Sequence, residues 1–142
     1  MASTTTEKNM QLARRAVEGF NERNLTVFDE LFAEDVIDHT PQGVTKGRDG
    51  PKEGLETLYA AFPDLEITID ELIGDGDTVA LRSTHRGTHE GKFLDIEQTG
   101  KQIEIENMVF AHIEDGTVVE RWVLADVFGL MQQLGVVDPS GE

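Results

Sequence analysis

Asp126 follows the chain's single tryptophan, Trp122, by four residues inside the apolar run RWVLADVFGLMQQLG. A carboxylate among apolar neighbours has its ionised form destabilised, which raises its pKa and makes it a usable acid or base near neutrality. That chemistry suits removal of a proton from carbon next to a carbonyl. A local reading stands beside it: aspartate is a favoured helix N-cap, and a helix starting at Val127 would use Asp126 that way. Spacing alone leaves both open.

The partners of Asp126 depend on how the preceding hairpin closes. With Asp115-Gly116 as a two-residue turn, Glu114 pairs with Thr117 and His112 falls on the face opposite Trp122 and Asp126. With Glu114-Asp115-Gly116 as a three-residue loop, His112 pairs with Val118 and shares their face. The second register is preferred. It gathers Met108, Phe110 and His112 with Val118, Glu120, Trp122, Leu124 and Asp126, an apolar surface carrying one imidazole and one carboxylate. His112 would then hydrogen-bond an enolate oxygen, and Trp122, Phe110 and Met108 would wall a ring. Asn107 has the opposite parity and is expected outside such a pocket unless a bulge intervenes.

The elements that must position these groups come in two blocks. Met10, Ala13, Val17 and Phe20 recur at helical spacing, with Thr4 and Glu7 at capping-box spacing ahead of them. Asn24 caps a short second helix bearing Val27, Phe28, Leu31 and Phe32. A brief strand at Val36 and Ile37 ends at Pro41, and TPQGVTKGRDG reads as loop. A third helix starts near Pro51, carries Leu55, Leu58, Tyr59 and Phe62, and stops at Pro63. From Leu65 the period becomes alternating, giving about four long strands with turns at GDGD and EDG, then a short amphipathic end. Helices followed by an antiparallel sheet predict an α+β domain with helices on one face of a curved sheet. Residues 7–137 form that single domain, between tails at 1–6 and 138–142.

Bulk properties remove whole classes of chemistry. There are 28 Asp and Glu against 12 Lys and Arg, a net charge of -16, which repels phosphate backbones and anionic lipid. Neither nucleic acid nor a membrane is expected as a partner. The absence of cysteine excludes disulfides and thiolate chemistry. No apolar window nears membrane-spanning length, and MASTTTEKNMQ lacks a secretory pattern, so a cytoplasmic location is expected. Self-repulsion of this size is screened by salt, which suggests a salt-rich cytoplasm. His85 and His89 are four apart in a strand rather than a helix, so no metal site is expected.

The blocks HIEDGTVVERWVLADVFGLMQQLG, FPDLEITIDELIGDGDTVALRSTHRGTHEG and DVIDHTP, in their order, resemble the SnoaL-like polyketide cyclase family. The resemblance covers roughly residues 9–135 and places the chain among the nuclear transport factor two-like cone folds. It implies a strongly bent sheet wrapped by three helices around a pocket, commonly paired into homodimers through the sheet. It further implies intramolecular aldol closure of a polyketide ester, an apolar carbonyl compound, without metal or cofactor. The family's general acid/base aspartate falls on Asp126 and its pocket histidine on His112. His39 sits at a strand end where the family often points a side chain to the pocket, and reads equally as a solvated loop histidine; Tyr59 reads as helix core, with a hydroxyl able to reach the pocket.

Related cone folds isomerise ketosteroids with an aspartate and a hydrogen-bonding pair, which the single Tyr59 makes hard to assemble. Others hydrolyse epoxides with an Asp, Arg, Asp set; Arg82 and Arg86 are available, but no second aspartate is clearly placed. A non-catalytic binding module of the same fold is the remaining alternative. The leading expectation is a cofactor-free lyase or isomerase with Asp126 as base.

Overall fold

Two turns of sequence logic build the frame. In the computed structural model, which describes residues 4–137, helical periodicity gives α1 (Thr4–Asn21), α2 (Thr26–Leu31) and α3 (Asp49–Ala61). Alternating periodicity gives β3 (Glu66–Asp75), β4 (Thr78–Thr88), β5 (Gln102–Glu114) and β6 (Thr117–Ala125), and a last helix α4 (Val127–Leu134) closes the order. Two strands precede them: β1 (Phe32–Thr40) and β2 (Gly43–Lys46). The six strands run β2-β1-β6-β5-β4-β3 in one open sheet, all antiparallel except β1 beside β6. This is the expected α+β cone, with helices over the concave face.

Several boundaries differ from the sequence reading. Phe32 opens β1 instead of closing α2, and β1 is nine residues long rather than a short piece around Val36. The stretch read as loop contains β2, which pairs with β1 from Ile37↔Lys46 to Thr40↔Gly43. These four exposed residues carry no burial pattern that would have marked a strand. Residues 4–6, expected in a flexible tail, belong to α1, where Thr6 accepts a hydrogen bond from the Gly76 N–H at 3.0 Å. The expected tail residues 1–3 and 138–142 lie outside the described residues.

The core is made where α1, α2 and the sheet meet. Leu12, Ala16, Val17 and Phe20 of α1 pack with Val27, Phe28 and Phe32; the rings of Phe20 and Phe28 stack at a centroid distance of 5.2 Å, and Phe32 meets Phe28 tilted at 4.9 Å. Each of the buried Leu, Val and Phe side chains contributes about 1.5–3 kcal/mol of transfer free energy. Asn21 fixes the end of α1 to β3, donating to the Ile67 carbonyl and accepting from its N–H, both at 2.8 Å. Arg23 and the ring of Tyr59 meet face on, 4.4 Å apart. At the far side, the segment after β4 is anchored by His89, fully buried, whose Nδ1 accepts from the Thr99 N–H while its ring rests 5.5 Å from Phe62.

Among the described residues no helix is long and apolar enough to cross a membrane, and no group of histidine, cysteine or carboxylate side chains could hold a metal ion.

Candidate active site

The register of the β5–β6 hairpin decides which side chains enter the cone. Asp115 and Gly116 both adopt positive φ, 49° and 79°, the geometry of a two-residue type I′ turn, so Glu114 pairs with Thr117. The three-residue loop is therefore not what closes the hairpin. A bulge between His112 and Ile113 then shifts the pairing by one residue, so that His112 meets Glu120 and Phe110 meets Trp122. The bulge gives most of the expected grouping by a different route: Met108, Phe110, His112, Glu120, Trp122 and Leu124 share a face, whereas Val118, expected with them, pairs with Ile113 on the opposite face.

That face is the outer one. Met108, Phe110 and Leu124 are 53%, 46% and 72% exposed, whereas Ile103, Ile105, Asn107, Ala111 and Ile113, with the other parity, are buried. The bulky set faces away from the helices because the inner face must leave room. Small and β-branched residues, Val109, Ala111, Val118, Val123 and Ala125, are what a cavity wall needs. On the outer face His39 stacks flat on Trp122 at 4.8 Å, and its Nε2 lies 2.8 Å from Glu120 Oε2. The His112 ring meets Trp122 edge-on at 5.1 Å. The Tyr59 hydroxyl donates to the Phe20 carbonyl at 2.6 Å. Burial raises its pKa, and Arg23 partly opposes the rise. None of Met108, Phe110, His112, Trp122, His39 and Tyr59 lines the cavity.

Asp126 sits at the strand-to-helix junction with its carboxylate exposed, accepting from the Gly129 N–H at 2.8 Å. A Cβ at residue 129 would collide with that carboxylate, which explains the glycine there. Ala125 and Val127 on either side of Asp126 line the cavity; Asp126 does not. The geometry is that of the N-cap reading.

Within the cone lies a cavity of about 490 Å³, walled by α1, α3, α4 and the inner faces of β1 and β3–β6. Its volume is in the range of small-molecule sites. Gln42 in the loop joining β1 to β2, Thr45 of β2, and the outer turns of α3, with Glu53 and Thr57, form its polar edge. The walls are otherwise aliphatic and aromatic, interrupted by two polar groups.

The first is a pair of opposite charges directly across the parallel strands β1 and β6. Asp38, 1% exposed, accepts from Arg121 Nε at 2.7 Å and from Arg121 Nη2 at 3.0 Å, and the guanidinium also lies 5.2 Å from the Phe32 ring. A two-point contact of this kind neutralises a charge that burial would otherwise penalise by several kcal/mol.

The second combines Ser83 and His85 of β4 with Asn107 of β5. Asn107 Nδ2 is 3.0 Å from His85 Nε2, and Ser83 Oγ donates to the Asn107 backbone carbonyl at 3.4 Å. Burial pushes the His85 imidazole down to about 4 from its ordinary 6.5, so the ring is neutral at pH 7. Among the described residues, Asn107 Oδ1 is buried without a partner. Asn107, expected outside the pocket, lines it because its face of β5, opposite that of His112, is the inner one. None of Asp38, Arg121, Ser83 and His85 was singled out from sequence for the pocket, since their facing depends on pairings that one strand does not reveal.

A bent sheet with helices over its concave face, enclosing one apolar cavity with sparse polar groups, defines a class of small pocket-bearing α+β proteins. Within it, the chain belongs to the SnoaL-like polyketide cyclase family, whose model matches residues 10–134. Among solved structures it is similar to IdmH, a proposed polyketide cyclase from Streptomyces antibioticus, at 30% identity over 88% of this chain and 96% of that one, with a TM-score of 0.80. AclR, a proposed hydroxylase from Streptomyces galilaeus, is 26% identical over 92% and 97%, with a TM-score of 0.82. A SnoaL-like protein from Jannaschia sp. CCS1 reaches a TM-score of 0.86 over 94% and 96% at 19% identity, a likeness of fold. Comparison with curated proteins finds no match.

Proposed function

We propose that the cavity takes up an apolar, carbonyl-bearing small molecule and that the protein closes a ring on it by a cofactor-independent, aldol-type reaction. The observation that carries this reading is the cavity itself: about 490 Å³ of largely apolar space whose two polar groups lie at separate places on its wall. Asn107 and Ala111, the β5 residue paired with Arg121, are four residues apart, about 14 Å along a strand. A molecule touching both groups is therefore elongated, as a folded polyketide is. The likeness to IdmH, a proposed polyketide cyclase, points the same way.

Asp126 as general base has its place in the sequence pattern in its favour. Against it stands the engagement of its carboxylate with Gly129 outside the cavity wall. Asp126→Asn separates the two roles, because asparagine caps helices as well as aspartate does but cannot act as a base. With the geometry described, turnover of an accepted poly-β-keto ester and the melting temperature are both expected to stay within experimental error of wild type. A fall of roughly 10²- to 10⁴-fold in kcat at unchanged melting temperature would instead establish Asp126 as the base. Val123→Trp fills the middle of the cavity; turnover undiminished in that variant would show that the cavity is not the site.

The partner proposed is a second copy of the chain, docked through the outer face of the sheet. Ile73, Met108, Phe110 and Leu124 are exposed there, an apolar surface of the kind that marks an interaction site.

A further inference from the structure

We propose that His85 and Asn107 are the proton-transfer pair of the cavity: His85 Nδ1 takes the proton from carbon next to the substrate carbonyl, and the Asn107 amide N–H donates to the oxygen. The inference rests on reading the cavity as the substrate site and names the groups that act in it. Three observations combine. His85 and Asn107 both line the cavity. They hydrogen-bond each other through Nε2 and the amide at 3.0 Å, and His85 Nδ1 makes no hydrogen bond among the described residues. Asn107, more than nine-tenths buried, keeps one amide atom with no partner.

That unpartnered atom is informative because a buried acceptor without a donor costs about 1–3 kcal/mol. Amide orientation and ring tautomer are linked across the shared hydrogen bond. With Nδ2 donating to Nε2, the neutral ring carries its hydrogen on Nδ1, and Oδ1 is left as an acceptor without a donor. Turning the amide by 180° lets Oδ1 accept from Nε2–H. Nδ1 is then a lone pair, and the amide N–H, in the place of Oδ1, is the donor left free to pair. This second setting complements a ketone: a base for its acidic C–H and a donor for its oxygen. The first complements an enol, whose hydroxyl would donate to Oδ1.

In the reaction the C–H bond breaks and its electron pair forms a C=C bond while the carbonyl pair moves onto oxygen. The proton resides on His85 Nδ1. The enolate carbon then bonds to a second carbonyl carbon of the same molecule, and that carbonyl's oxygen takes the proton back from His85. Protons balance over the cycle, and nothing is oxidised or reduced. Burial keeps the imidazole uncharged before substrate enters, and the enolate formed beside it offsets the charge it gains.

The test uses 2-tetralone with the full chain in D₂O, following exchange of its α-hydrogens by proton NMR. Wild type is expected to accelerate exchange, His85→Gln to lower the accelerated rate by roughly 10²- to 10⁴-fold, and Asn107→Leu to lower it less, each with the probe still bound. Equal acceleration by His85→Gln would overturn the proposal. Binding of 2-tetralone to wild type with no acceleration would also overturn it while leaving the cavity as a ligand site. Failure to shift any cavity methyl resonance would instead overturn the reading of the cavity as a carbonyl site. Should His85→Gln fail to fold, ¹⁵N shifts of the wild-type ring decide: Nδ1 is expected to become the unprotonated nitrogen when tetralone binds, and a ring whose tautomer does not respond counts against the pair.

Discussion

His85 ties the chemistry of the cavity to the stability of the protein. Its folded pKa of about 4 lies below the ordinary 6.5 because burial disfavours the imidazolium. Between those values the unfolded chain binds a proton that the native protein does not, so stability is fully present above pH 6.5 and falls as pH drops toward 4. The loss attributable to this one group is on the order of 3 kcal/mol at the acid end. Denaturant titrations at pH 7, 5 and 4 are expected to show that difference between wild type and His85→Gln, since carboxylates contribute to both alike. A pH dependence identical in the two proteins would mean that the native state accommodates the charged ring. Asp64 is shifted the same way for another reason: hydrogen bonds from the Thr88 N–H and hydroxyl hold its carboxyl below the usual range, but at an exposed site.

At the scale of elements, the β5–β6 hairpin shows what a single chain discloses and what it does not. The helices, the four long strands and the last helix with its aspartate cap were legible from periodicity, Pro51, Pro63 and the turn residues. That Met108, Phe110, His112 and Trp122 share a face was legible too. Which face meets the helices was not, because bulk favours a core in most proteins, whereas a cavity selects the smaller set, Val109, Ala111 and Val123. Nor does sequence reveal that Asp38 lies across from Arg121, a pairing that spans 83 positions. The turn itself yields a prediction. Gly116 has φ 79°, where a side chain costs about 1–2 kcal/mol. Gly116→Ala is expected to lower stability by about that amount in thermal unfolding, without altering ligand binding in the cavity. No loss of stability would mean that the hairpin can close in its other register.

The whole molecule combines an exposed apolar sheet face with a net charge of -16. Two copies docked through that face would bring like charges together, while salt shortens the reach of the repulsion to about 3 Å at 1 M. Sedimentation is therefore expected to show self-association strengthening as sodium chloride rises from 0.05 to 1 M, roughly in parallel with the melting temperature. Leu124→Glu is expected to abolish the association while leaving the monomer folded. Association that weakens with salt, or that survives in Leu124→Glu, would place the interface elsewhere.

The alternation along β5 has a consequence for how such a protein diversifies. Residues 105, 107, 109, 111 and 113 shape the interior, and residues 108, 110 and 112 shape the exterior, on one strand and with no position in common. Substitutions that reshape the cavity and substitutions that alter the outer face can accordingly be made independently of each other.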